Sequence, residues 1–151
     1  MIEFSTVDFQ GLNTTELYQV LALRSEIFVL EQQCAYQDMD GLDAQCHHVL
    51  GQKGDQLIAY ARILPPELTQ NDTVSIGRVV VAAAQRKEKM GKQLMLFAIQ
   101  ATQSLFPNHQ IEISAQSYLT RFYLELGFKN TGVFYLEDDI PHQTMIYYSD
   151  R

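Results

Sequence analysis

Hydrophobic and polar positions along the chain alternate with two periods, and the change between them is clearest from Ile76 to Leu105. Ile76-Gly77-Arg78-Val79-Val80-Val81 is short, apolar and β-branched, the pattern of a buried strand. From Gln85 the pattern becomes helical. Met90, Leu94, Phe97, Ala98, Ala101 and Leu105 fall on one stripe, and Phe106-Pro107 ends it. An earlier helix starts at Asn13-Thr14-Thr15-Glu16, with Asn13 as cap and Glu16 closing a capping box. Its stripe is Leu17, Val20, Leu21, Ile27 and Phe28. Extended segments are predicted at Ile2–Ser5, His47–Gly51, Gln56–Leu64, Gln110–Ala115, Phe128–Leu136 and His142–Tyr148, with a hairpin turn at Lys53-Gly54-Asp55. A short helix spans Gln116–Leu126 and stops at Gly127, and Glu137-Asp138-Asp139 forms an acidic turn. The order β-α-β-β-β-α-β-α-β-β predicts an α/β fold with one mixed sheet and helices packed on it.

The length of 151 residues and a hydrophobic content of 46% suit a single domain over residues 1–151 with a substantial core. There is no apolar run long enough for a membrane span and no leader-like N-terminus, so a cytoplasmic protein without membrane partners is expected. A net charge of −7 argues against nucleic acid as a partner. Cys34 and Cys46 have neither metal-site nor C-x-x-C spacing and are expected as free thiols. His47 and His48 are adjacent on a strand, so they face opposite ways and cannot chelate one metal; no metal site is expected.

Against this acidic background one cluster stands out. Arg86, Lys87, Lys89 and Lys92 are four of the eleven basic residues, placed where a strand turns into a helix. Such a turn leaves backbone N–H groups unpaired, with the helix dipole behind them, and suits an anion such as phosphate. On the first helix, Arg24 and Glu31 are seven apart and share a face, as either a structural ion pair or part of a substrate site. The turn-rich segment Cys34–Asp43 holds three aspartates without a calcium-loop register, and reads as a solvated loop beside a cleft.

Arg86-Lys87-Glu88-Lys89-Met90-Gly91 resembles the coenzyme motif Arg/Gln-x-x-Gly-x-Gly/Ala of the GNAT N-acetyltransferases, with Lys89 where the first glycine is usual. Phe122-Tyr123-x-x-x-Gly127-Phe128, after Ala115-Gln116, resembles the second motif of that family. Leu23-Arg24-x-x-x-Phe28-Val29-x-Glu31-Gln32, Tyr36-Gln37-Asp38-x-Asp40-Gly41, Ala59–Leu64, Ile76-Gly77-Arg78-Val79 and Ile140-Pro141-His142-x-x-Met145 resemble its ElaA-type branch, so the likeness runs nearly end to end.

This resemblance implies a GNAT-like mixed, mostly antiparallel sheet with helices on both faces. It implies acetyl-CoA as co-substrate and a primary amine, small molecule or peptide, as acceptor. The coenzyme would lie against Val79, Val80, Val81, Arg86, Lys87, Lys89, Met90, Gly91, Lys92 and Gln116. A backbone N–H of Val79–Val81 would meet the oxyanion, and Tyr123 would serve the leaving thiolate as general acid. The strand Ile76-Gly77-Arg78 lacks the Glu that many members carry, and Arg78 is permanently protonated. Glu31 is therefore the first choice of base and His142 the second, with His47 remaining. Arg24 and Arg78 offer a carboxylate site on the acceptor side. Asp38, Asp40, Glu137 and Asp138 offer a cation site, leaving amino-acid-like and polyamine acceptors both open. A homodimer is compatible with this reading. The alternatives are a non-catalytic acyl-CoA-binding module and an autoinducer-synthase-like acyltransferase.

Overall fold

The computed structural model describes residues 1–148, except the side chains of Lys87 and Glu88. Strands β1 (Glu3–Asp8), β2 (His47–Lys53), β3 (Gln56–Leu64), β4 (Val74–Val81), β5 (Ile111–Gln116), β6 (Lys129–Glu137) and β7 (Ile140–Tyr147) form one sheet in the order β1-β2-β3-β4-β5-β7-β6. Among them β4 and β5 are the parallel pair, and every other pairing is antiparallel. The helices are α1 (Thr14–Arg24), α2 (Met90–Leu105) and α3 (Thr120–Glu125). The alternation of helical and extended pattern gives this order correctly, with strand ends shifted by a few residues.

The sheet has a core on each face, because successive strand residues point opposite ways. Val49 and Ala61 join Met90, Leu94, Met95 and Ala98 of α2. Leu50 and Tyr60 join Val20, Leu23 and Ile27 on the α1 side. Each fully buried aliphatic side chain of these clusters contributes about 2 kcal/mol. The predicted cap starts α1: Asn13 Oδ1 accepts from the Glu16 N–H at 2.7 Å, and Glu16 Oε1 accepts from the Asn13 N–H at 3.0 Å.

Three local features depart from regular helix and sheet. The first is a π-helix at Ser25–Glu31, continuing α1. Its wider turn breaks the 3.6-residue period, so Arg24 and Glu31 do not share a face: Arg24 is buried and Glu31 exposed. The second is at the start of α2. Residues Ala83–Glu88 form a 3-10 helix, Lys89 is left-handed (φ 57°, ψ 29°), and the α-helix begins at Met90 rather than Gln85. The third is a parting of strands. β4 and β5 pair only at Val74↔Ile111 and Ser75↔Glu112, although both run on, to Val81 and Gln116. A bulge in β4 opposite Tyr60–Arg62, with Arg78 at φ 50°, accompanies the divergence. The sheet is thus split at its centre.

Candidate active site

The split opens a cleft of about 760 Å³. β4 residues Ile76–Val81 line one wall and Ile113, Ser114 and Gln116 of β5 the other. Parted strands leave β4 backbone groups without a sheet partner on this side, free to bond a ligand.

The arm of the cleft expected to take the coenzyme lies where β4 gives way to α2. Arg86, Lys89, Gly91 and Lys92 line it. The left-handed Lys89 explains why a glycine is usual at this position, since the conformation costs a residue with a Cβ about 1–2 kcal/mol. Gly91 keeps the helix start open: a Cβ there would find only Phe122 Cζ, at 3.8 Å. The Met90 side chain is buried in the α2 core, so this residue offers its backbone N–H alone. Val79 and Val81 pack partly against the same core, and Val80 turns its side chain to the α1 side. The Lys87 side chain lies outside the described residues. An exposed cationic set at a helix N-terminus, with a glycine holding back the side-chain bulk, fits the pyrophosphate of a CoA ester.

Glu31 also reaches this arm, which corrects the expectation that it serves as base beside the acceptor. Its carboxylate is bound by Arg86, with Nη1 to Oε2 at 2.7 Å and Nη2 to Oε1 at 3.1 Å. Both carboxylate oxygens are thus engaged by one guanidinium, and neither is turned to an acceptor amine.

Tyr123, on α3, is 8% exposed and lines the cleft between Phe122 and Phe128, its ring centroid 5.1 and 5.7 Å from theirs. Burial pushes its phenol pKa up to about 12, with a small addition from Tyr118. The hydroxyl has no hydrogen-bond partner among the described residues. It is therefore a protonated donor facing the cleft.

His142 is 6% exposed and pairs in register with Gln116 across β7 and β5. Its Nδ1–H donates to the Ile140 carbonyl at 2.7 Å, and the ring stacks on Tyr135 at 5.9 Å. A carbonyl only accepts, so in the neutral ring Nδ1 carries the proton and Nε2 the lone pair. Nε2 has no partner among the described residues, and the residue lines the cleft. Nearby, Ser114 hydrogen-bonds Tyr135 Oη.

Arg24 is 0% exposed and does not reach the cleft, correcting its placement as an acceptor-binding residue. Its Nε meets Asp38 Oδ2 at 2.7 Å and its Nη1 meets Asp43 Oδ1 at 2.8 Å. Arg62 holds Asp40 at 2.7 Å and Asp43 at 2.9 Å, and Arg78 holds Asp38 at 2.9 Å. Three arginines and three aspartates thus form one chain of ion pairs. The solvated loop expected at Cys34–Asp43 is instead pinned to the sheet. Arginine hydrogen bonds hold Asp43 below the usual carboxylate range against its burial, and lower Asp40 to about 2. His48 Nε2 meets the Asp43 carbonyl at 2.9 Å, and burial keeps that ring neutral by lowering its pKa. Arg78 is the one arginine of the three that lines the cleft. Sequence reasoning missed Arg62, whose position inside the apolar strand Gln56–Leu64 was the available signal. It missed Ser114 in the same way. Among the described residues no group of three or more His, Cys, Asp or Glu is placed to hold a metal ion.

A central parallel pair parted over a cationic helix start, with a buried tyrosine in the same cleft, is an arrangement that suits an acyl-CoA-dependent acyltransferase, and comparison with known proteins places the chain in that class. The acetyltransferase (GNAT) domain family matches residues 15–149. The protein ElaA of Escherichia coli (strain K12) is 42% identical over 144 residues, 94% of each chain. The crystal structure of an acyl-CoA N-acyltransferase from Pseudomonas aeruginosa superposes with a TM-score of 0.93 at 40% identity, covering 98% of this chain and 100% of the other. The crystal structure of Escherichia coli ElaA gives 0.88 at 40% identity over the same shares. The chain belongs to the GNAT acetyltransferase family, in its ElaA-type branch. The AHL synthase LasI is 16% identical with a TM-score of 0.74, a likeness of fold alone.

Proposed function

We propose that the protein transfers an acetyl group from acetyl-CoA to a primary amine by direct attack on the thioester. The observation that carries this reading is the meeting, in one cleft of about 760 Å³, of the cationic helix start, the freed β4 edge, Tyr123 and His142. Arg86, Lys89, Lys92 and the N–H groups at Met90 and Gly91 bind the phosphates. The acceptor arrives as an ammonium, since an alkylamine has a pKa of about 10. His142 Nε2 takes its first proton. The free amine attacks the carbonyl carbon, and a backbone N–H of Val79–Val81 donates to the oxyanion. As the C–S bond breaks, nitrogen gives its second proton to water and the electron pair leaves on sulfur.

Tyr123 meets that sulfur. A thiol pKa of about 8.5 makes full proton transfer from a phenol at about 12 uphill by about 5 kcal/mol. Tyr123 therefore stabilises the departing thiolate by donating a hydrogen bond, and solvent supplies the proton that completes CoA. A cytoplasmic location is part of this proposal, and the unpaired Cys34 and Cys46 are compatible with it.

Calorimetric titration with acetyl-CoA tests the coenzyme site, with S-adenosylmethionine as comparator. Micromolar binding of acetyl-CoA, about −8 kcal/mol, that weakens in Arg86→Ala/Lys89→Ala is expected. An amine screen following thiol release then tests turnover. Binding of S-adenosylmethionine in preference, or bound acetyl-CoA with no turnover on any amine, would overturn the proposal.

A further inference from the structure

The charges of the cleft divide into those already spent and those still available, and their division bears on the acceptor once the acetyltransferase reading is taken as the base. On the acceptor side the arginines are spent. Arg24 is buried between Asp38 and Asp43. Arg78 reaches the cleft, but its Nε is 2.9 Å from Asp38 Oδ1 and its Nη2 donates to the Asp38 carbonyl at 2.9 Å. Asp38 and Asp40 are spent on the same network. An acceptor bearing a carboxylate therefore meets arginines that are neutralised already.

Two carboxylates remain. Glu137 and Asp138, at the β6–β7 turn, both line the cleft, and neither has a cationic partner among the described residues. Glu137 accepts one weak hydrogen bond, from Ser114 Oγ at 3.4 Å. Tyr36 lines the same cleft. Burial chiefly raises the Tyr36 phenol to about 12; Arg78 opposes the rise, and Asp38, which accepts from the Tyr36 hydroxyl at 3.2 Å, and Asp138 add to it. Tyr36 is thus a neutral aromatic beside the free carboxylates, a surround that suits an ammonium. Deeper in the cleft is His142, more than nine-tenths buried and with Nε2 unpartnered among the described residues.

The strand register puts Glu137 and His142 on one face. Glu137 pairs with Ile140, and His142 is two residues further along β7, so Glu137 and His142 are diagonal neighbours about 7–8 Å apart at the backbone, a separation on the scale of a short aliphatic diamine. We propose that the acceptor is an aliphatic diamine or polyamine. One nitrogen loses its proton to His142 and is acetylated, while the other stays an ammonium between Glu137, Asp138 and Tyr36.

The test compares kcat/KM for 1,4-diaminobutane, 1-aminobutane and 5-aminopentanoate at saturating acetyl-CoA, following CoA thiol release. It is repeated on Glu137→Gln/Asp138→Asn. Asp138 sits at φ 52°, which Asn also tolerates, so the substitution removes charge and keeps the turn. The diamine should be preferred by tenfold or more. The double variant should cut its kcat/KM about five- to tenfold, more than it cuts that of 1-aminobutane. Salt should erode the preference likewise. Equal use of the monoamine, preference for the amino acid, or a preference that survives the double variant would overturn this inference and leave acetyl transfer standing. Bound acetyl-CoA with no turnover of any amine would overturn both.

Discussion

Glu31 and Arg86, 55 positions apart in the chain, meet as a two-point ion pair at the mouth of the coenzyme arm. Both side chains are exposed, so the pair itself is worth at most about 1 kcal/mol. Under the proposed coenzyme binding its position gives it a consequence beyond that, because a CoA phosphate would compete with the Glu31 carboxylate for the same guanidinium. Glu31→Gln should tighten acetyl-CoA binding up to about fivefold, whereas Arg86→Ala should weaken it by a similar factor. Titration calorimetry reads both. A kcat loss of a hundredfold or more in Glu31→Gln, with binding unimpaired, would restore Glu31 as the base.

The left-handed Lys89 predicts a substitution that stabilises. Relieving a conformation that costs about 1–2 kcal/mol, less the extra chain entropy of glycine, leaves a gain of about 0.5–1 kcal/mol for Lys89→Gly. The urea midpoint should rise accordingly. Gly91→Ala makes the complementary case. The added methyl meets nothing closer than Phe122 Cζ at 3.8 Å, so folding should be unaffected, while acetyl-CoA affinity falls tenfold or more because the methyl stands where phosphate approaches.

Tyr123→Phe removes a hydroxyl that bonds nothing among the described residues. Stability should change by less than about 1 kcal/mol. The acetyl-CoA Kd should hold, and kcat should fall between about tenfold and a hundredfold. Burial raises the phenol to about 12, so its protonated form persists throughout the usual assay range. The wild-type pH–rate profile should therefore show no alkaline loss from this group below about pH 11.

The core and the order of elements are legible in the sequence because they rest on local periodicity. The stripe Met90–Leu105, the cap at Asn13 and the run Val79–Val81 each declare themselves within a few residues. The cationic helix start is legible for the same reason, since its cations sit in one window. What the sequence hides depends on distant partners. Nothing local in Asp38 or Asp43 says that Arg24 and Arg62 will bury them. The π-helix at Ser25–Glu31 is invisible to a 3.6-residue period, which is why that period puts Arg24 and Glu31 on one face. The parting of β4 from β5 leaves both strands looking ordinary. His142 is preferred to Glu31 in the proposed mechanism only once its Nδ1 is found on the Ile140 carbonyl and Glu31 is found on Arg86.

The ion-pair chain fixes how stability depends on pH. Asp40 is lowered to about 2 and Asp43 below its ordinary value, so both bind protons more weakly folded than unfolded. Their contribution is complete above the unfolded value, about 4, and drains as pH falls toward 2. Urea stability should hold from pH 7 to about 5 and then decline steeply between about pH 4 and 2. Asp43 joins two arginines, Arg24 and Arg62, so Asp43→Asn should cost about 3 kcal/mol at pH 7 by leaving buried guanidinium charge uncompensated. It should also flatten the acid decline. Arg24→Ala should act on the same quantity: lost stability of about 3–5 kcal/mol, with the acceptor KM of the surviving folded enzyme little changed. A large KM effect with full stability would return Arg24 to the substrate site.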